Sequence, residues 1–182
     1  AAEAAAEEEE RRKAKRGLTL RIGGGLNYMY GVDAARNENF ESDFVDWYAL
    51  GMLGYTANEN QTGKGTFIGA FVTVGNTTER GITKFLEDSN TGRTADAEIA
   101  DNRFYQAELG IVFFETLRLS TGTGYQSYTL DNDEKRLFYY STTGGLQFGG
   151  RFIKLTADIN FLYGRQLEAT ILRPTVGLLL QL

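Results

Sequence analysis

The chain of 182 residues has no cysteine, no histidine, one proline and one tryptophan. Without cysteine there is neither a disulfide nor a thiolate metal site. Without histidine the commonest general base and metal ligand is missing. A single proline leaves backbone ladders almost uninterrupted. No run approaches the ~20 consecutive apolar residues of a membrane helix. Basic charge is short as well. Lys and Arg number 19 against 24 Asp and Glu, a net charge of −5, which excludes nucleic acid as a partner because that ligand wants a basic face. No signal peptide is visible, so an exported chain would begin at or after its cleavage point.

What is present is alternation. From Ala169 to Leu182, Leu172, Pro174, Val176, Leu178, Leu180 and Leu182 share one face. Arg173, Thr175, Gly177 and Gln181 share the other, with Leu179 as the exception. A period of two is a strand with one apolar and one polar side. Such a strand must be closed against another or remain a sticky edge. Leu18–Val32 alternates as cleanly and is the expected partner. Between them the pattern predicts strands over Phe44–Ala57, Thr66–Asn76, Asn102–Glu115, Leu117–Leu130, Arg136–Phe148 and Arg151–Tyr163. In Phe44–Ala57, Asp46 is expected inward, which leaves Leu50 and Met52 inside and suggests a bulge near Gly51. Each strand is at least the ~9–11 residues that a tilted membrane strand needs. A low average hydropathy is no objection, because such strands show lipid only every second side chain.

The connections alternate in length. Residues 33–43, 77–101, 131–135 and 164–168 fall at one end; 58–65, 115–116 and 149–150 fall at the other. Aromatics gather near both ends, as amphipathic rings do at membrane interfaces. Tyr28, Tyr30, Trp47, Tyr48, Phe104, Tyr105, Tyr128, Tyr139 and Tyr163 are among those at the long-loop end. Phe67, Phe113, Phe114, Phe148 and Phe152 are at the short-turn end.

Residues 1–16 are different in kind. Ala, Glu, Arg and Lys favour helix, and Glu7–Arg11, Glu8–Arg12 and Glu9–Lys13 are i,i+4 pairs in the favourable order. With no apolar stripe, a solvated helix ending at Gly17 is expected. Its basic end, Arg11, Arg12, Lys13, Lys15 and Arg16, is a candidate contact for lipid phosphates or a partner protein. The division is therefore a helix over 1–16 and an all-β domain over 17–182: an eight-stranded antiparallel up-and-down transmembrane barrel.

Over Leu18–Leu182 the chain resembles the small bacterial outer-membrane barrels, the group of the outer membrane protein A barrel domain and OmpX, and in its Tyr-rich outer ends the barrels of Bacteroidetes-type bacteria. Thr175, Gly177, Leu180 and Leu182 match the C-terminal barrel-assembly signal of those proteins, with Leu182 where an aromatic is usual. The resemblance implies an outer-membrane location with both termini periplasmic. It implies outer-membrane lipid and lipopolysaccharide as surroundings, the barrel-assembly machinery during insertion, and possible contact with other outer-membrane or periplasmic proteins. Barrel enzymes of that membrane, by the same resemblance, use His with Ser or Asp, and this chain has none.

The inward face collects Arg21, Asp46, Glu108, Arg118, Lys154, Asp158 and Arg173. An eight-stranded barrel is filled by its own side chains, and buried charges must pair. A structural lumen network is expected, with Asp158 roughly opposite Arg173 and Glu108 reaching an inward Arg or Lys across the lumen. Thr62–Thr66 lacks the glycine spacing of a phosphate loop and precedes a strand. Asp131–Glu134 is too short for a calcium loop. No cofactor, metal or catalytic set is expected. Two roles remain, a stand-alone barrel for anchoring or surface contact and an accessory subunit of a larger membrane assembly. Ala49, Gly51 and Ala70 on the lipid face favour close packing in the second. A narrow pore is disfavoured by the strand number.

Overall fold

The structure is a computed structural model describing residues 17–33, 38–41, 45–57, 65–77, 99–130, 133–150, 152–164 and 167–182. The helix expected over residues 1–16, with its basic residues, lies outside the described residues.

Ten strand segments are present: β1 Gly17–Asn27, β2 Tyr30–Asp33, β3 Glu38–Glu41, β4 Asp46–Ala57, β5 Thr66–Asn76, β6 Ile99–Phe113, β7 Leu117–Leu130, β8 Asp133–Gly149, β9 Ile153–Gly164 and β10 Leu167–Gln181. Each pairs antiparallel with its neighbour, and β1 pairs with β10, so the sheet closes. Because β2 follows β1 along the same edge of β10, and β3 pairs with β2 beyond the β1–β4 ladder, the wall has eight strands. The break between β1 and β2 has a cause in the sequence. Tyr28 and Met29 fall opposite Pro174 and Arg173, and the lone proline has no N–H to give the ladder. Only its carbonyl takes part, accepting from Tyr28 N at 3.0 Å.

Alternation sorts the side chains. In β6, Leu109 is 70% exposed while Glu108 beside it is 3% exposed. Leu18, Leu20, Ile22 and Leu26 of β1 and Val176, Leu178 and Leu180 of β10 point out together across the closing seam. Burying that apolar belt is favourable only in lipid, so the fold is a transmembrane one.

Three expectations need correction. No bulge occurs at Gly51: β4 runs in unbroken register against β1 and β5. Leu50 and Met52 stay inside because they join Tyr48, Phe67, Phe71, Phe104, Val112 and Leu179 in an apolar cluster. One side of the lumen is thus filled with hydrocarbon, which needs no hydrogen-bond partners. Second, Tyr48, Phe67, Phe104, Tyr128 and Tyr139 are buried and do not line a membrane interface. Exposed Trp47, Phe138, Tyr140, Phe161 and Tyr163 remain toward the long-loop end, with Phe114, Phe148 and Phe152 at the other. Third, the β6–β7 turn is centred on Phe114 and Glu115, at φ 50° and 55°, rather than on 115–116. Thr116 N donates to Phe113 O at 2.9 Å, which closes it. Two successive left-handed residues give the mirror-image turn whose twist suits a hairpin. Neither is glycine, so the turn stores about 1 kcal/mol or more per residue.

Candidate functional site: the polar lumen

Inward positions of β6 to β10, together with Arg21 of β1, carry most of the charge, and the network rests on three arginines. Each lies against a phenylalanine ring of β5 or β6. Arg21 is 4.8 Å from the Phe67 centroid, Arg118 is 4.5 Å from that of Phe71, and Arg173 is 3.7 Å from that of Phe104. Stacking on a ring face suits the planar, weakly hydrated guanidinium.

The central level carries the most hydrogen bonds. Arg118 Nη2 donates to Glu108 Oε2 and Arg118 Nη1 to Asp158 Oδ2, each at 3.0 Å. Glu108 also accepts from Ser120 and Ser141 at 2.8 Å. The Thr143 hydroxyl lies 2.8 Å from both Glu108 Oε1 and Asn160 Oδ1, so its one proton serves either acceptor. Every member is buried. Two carboxylates on one guanidinium are costly in a low-dielectric interior, and these hydroxyls share the charge of Glu108.

Toward the long loops, Arg173 Nη2 donates to Gln106 Oε1. Gln106 Nε2 donates to Asn160 Oδ1 at 3.1 Å, and Asn160 Nδ2 to the Arg173 carbonyl at 3.0 Å. Toward the short turns, Lys154 Nζ donates to Glu115 Oε2 at 2.9 Å, and Arg21 Nη2 lies 4.0 Å from Glu115 Oε1. The turn carboxylate thereby reaches back into the barrel mouth.

Six of the seven expected lumen residues are buried: Arg21, Glu108, Arg118, Lys154, Asp158 and Arg173. Asp46 lies on the inward phase at the long-loop end of β4, half-buried, outside the central cluster. The expected Asp158–Arg173 pair does not form. Asp158 faces Thr175 in the β9–β10 register and reaches Arg118 on β7 instead, while Arg173 turns to Gln106. Glu108 pairs with Arg118 on the adjacent strand, not across the lumen. Accordingly, a double-mutant cycle of alanine substitutions should give a larger coupling energy for Asp158 with Arg118 than for Asp158 with Arg173. Unfolding titrations of the singles and doubles measure it, and equal couplings would contradict this geometry.

Sequence reading missed Glu115, whose turn position hid its inward reach. It also left Phe67 and Phe71 out of the lumen, although both have the parity of inward Gly69 and Thr73. In the assembly-signal stretch, Thr175 and Gly177 point inward and Leu180 and Leu182 outward. Gly177 faces Gly25 across the seam, where a Cβ would press on the Gly24 carbonyl, so this glycine has a packing reason of its own.

A closed wall, an apolar outer belt and a sealed polar interior define an eight-stranded transmembrane β-barrel of the outer-membrane type. No family model matches the chain, and no curated protein matches it. Solved structures do. The attachment invasion locus protein Ail of Yersinia pestis, in complex with the heparin analogue sucrose octasulfate, is similar at 12% identity and TM-score 0.57, over 91% of this chain and 99% of that one. A second crystal structure of Ail is similar at 10% identity and TM-score 0.54, over 90% of this chain and 98% of that one. Neisserial surface protein A aligns at 8% identity and TM-score 0.48. At these identities the likeness to Ail is one of fold.

Proposed function

We propose that this chain is an integral barrel of the bacterial outer membrane, with both termini in the periplasm, that anchors and makes surface contacts and catalyses nothing. One observation carries the reading: the inward side chains seal the interior. Arg21, Met52, Phe67, Phe104, Val112, Ser141 and Thr143 are each 0% exposed. Ser120 and Ser141 donate to Glu108, an arrangement that could activate a hydroxyl, but all three are buried where no substrate reaches them. Contact then falls to the loops and the outer wall. The long-loop end is acidic in sequence: Asp33, Glu38, Glu41 and Asp43 stand against Arg36 over residues 33–43, and Asp131, Asp133 and Glu134 against Lys135 over 131–135. That charge repels sulfated glycans, so the heparin analogue seen on Ail is not the ligand expected here. During insertion, Thr175, Gly177, Leu180 and Leu182 would engage the assembly machinery. Residues Arg11, Arg12, Lys13, Lys15 and Arg16 would touch lipid phosphates or a periplasmic partner.

One feature favours the subunit reading. Gly51 faces outward with no atom within 4 Å of where a Cβ would stand, beside Ala49 in the same strand and opposite Ile22 and Val72. Such a shallow place in the wall admits a neighbouring helix or strand. Native mass spectrometry after extraction in mild detergent decides between the two. The mass of the chain alone is expected for a stand-alone barrel. A reproducible larger complex that Gly51→Phe disrupts would establish the subunit instead.

A further inference from the structure

The outward flank of β6, β7 and β8 sets a basic row above an aromatic row and a hollow. Near its long-loop end, the register sets Arg103 beside Ser127 and Ser127 beside Arg136. The next outward row, two residues nearer the middle of the wall, is Tyr105, Tyr125 and Phe138. Tyr105 and Tyr125 stack at 4.9 Å, and Tyr125 and Phe138 lie tilted at 5.9 Å. One row further in, Ala107 faces Thr123. These two small side chains lie beside a depression of about 270 Å³, lined by Val72, Tyr105, Ala107, Thr123, Tyr125 and Phe138. Arg136 is held above it, its Cζ 5.6 Å from the Tyr125 centroid.

A wall that only had to meet fluid lipid tails would need neither a hollow nor two arginines above it. An apolar hollow in this belt takes a hydrocarbon chain. Arginines one aromatic row above it stand at headgroup level, where rings of this type gather. The guanidinium fork matches a phosphate bidentately, and the Tyr125 face restrains one fork in advance. Glu134 must be counted against this. Its Oε1 accepts from Arg136 Nε at 2.9 Å and from Ser127 Oγ at 3.2 Å, and lies 2.8 Å from Arg136 Nη2. That pair is exposed, and Arg103 adds a second guanidinium to the same row.

We propose that this flank binds one lipid with a phosphate headgroup, in the leaflet at the long-loop end. The phosphate rests on Arg103 and Arg136, and one acyl chain lies in the hollow. The assignment rests on the membrane reading above.

The test is native mass spectrometry of the detergent-solubilised barrel, mixed with phosphatidic acid or with phosphatidylcholine of the same acyl chains. Each variant is first shown to be folded by its heat-dependent gel mobility. About fivefold or more preference for phosphatidic acid is expected, given the ~1 kcal/mol per basic residue near a charged surface. The Arg103→Gln, Arg136→Gln double variant should fall to the phosphatidylcholine level. Glu134→Gln should retain more phosphatidic acid, since it frees Arg136. Ala107→Phe, which fills the hollow, should lose the bound lipid while both arginines remain. Equal retention of the two lipids by the parent chain, or undiminished preference in the double variant, overturns the site. A chain that stays folded and monodisperse without detergent and takes up neither lipid overturns the membrane reading itself.

Discussion

Arg118→Met lowers the stability of the barrel by about 3–5 kcal/mol, the range for breaking a buried ion pair from one side. Arg118 is the cation that holds both Glu108 and Asp158, each at 3.0 Å. Removing it leaves two carboxylates in a sealed interior, with hydroxyl donors on Glu108 alone among the hydrogen bonds described. Methionine keeps much of the contact with Phe71, so the loss reads the charge more than the packing. The remedy follows from the same physics. Combining Arg118→Met with Glu108→Gln and Asp158→Asn removes the orphaned charges and should recover most of the loss. Urea titrations of barrels refolded in lipid vesicles measure all three chains. A triple variant no more stable than Arg118→Met would show that the cluster's charge balance is not what holds it. Arg136→Met is the comparison on the outside. Its partner Glu134 is exposed and the pair is screened by solvent, so no resolvable loss of stability is expected there.

Gly145→Ala should be nearly as damaging, for a reason visible only in the folded barrel. Gly145 faces Asp158 across the β8–β9 ladder, and the Asp158 carboxylate occupies the space that a Cβ would need. The methyl must push that carboxylate away from Arg118. A cost of about 3 kcal/mol or more is expected, overpacking and a broken buried pair acting together. In an Asp158→Ala background the same substitution should cost little, a coupling that a double-mutant cycle isolates. Gly144→Ala is the internal comparison. It points outward, its added methyl would meet only Leu119 Cδ2 at 3.9 Å, and it should be tolerated. If both alanines behave alike, Asp158 does not occupy the position described.

Much of this architecture was legible in the residues. Where one face meets lipid and the other meets a packed lumen, every second side chain must be apolar, and the pattern exposes the strand, its phase and its ends. That is why β9 was read with its faces correctly assigned from Ile153 to Tyr163. The same logic misled at β4. Leu50 and Met52 look misplaced only if every inward position must be polar. Inward only means sheltered from lipid, and a lumen can be filled by hydrocarbon wherever enough neighbours supply it. Tyr48, Phe67 and Phe104 suit a membrane interface by ring type and nearness to strand ends, while their parity points inside.

The partners of the lumen charges were less legible. Strand pairing gives the register of neighbours, and from it Asp158 and Arg173 seemed to face each other. An arginine is long enough to choose among several carboxylates at its level, and its choice is made in three dimensions. Arg118 reaches from β7 to β9 because β8, between them, presents Gly145 at that height and leaves the path open.

By itself the sequence determined eight alternating strands, their closure end to end, the absence of histidine and thiol chemistry, and the inward phase of the charges on the strands. Those follow from one-dimensional constraints, a period of two and a chain composition. Only the tertiary structure decided which carboxylate each arginine holds, that Glu115 turns back into the mouth, and that two arginines align above a hollow on the β6–β8 flank. These depend on side-chain reach and on the curvature that brings non-neighbouring strands together, and neither is encoded in the spacing of residues along the chain.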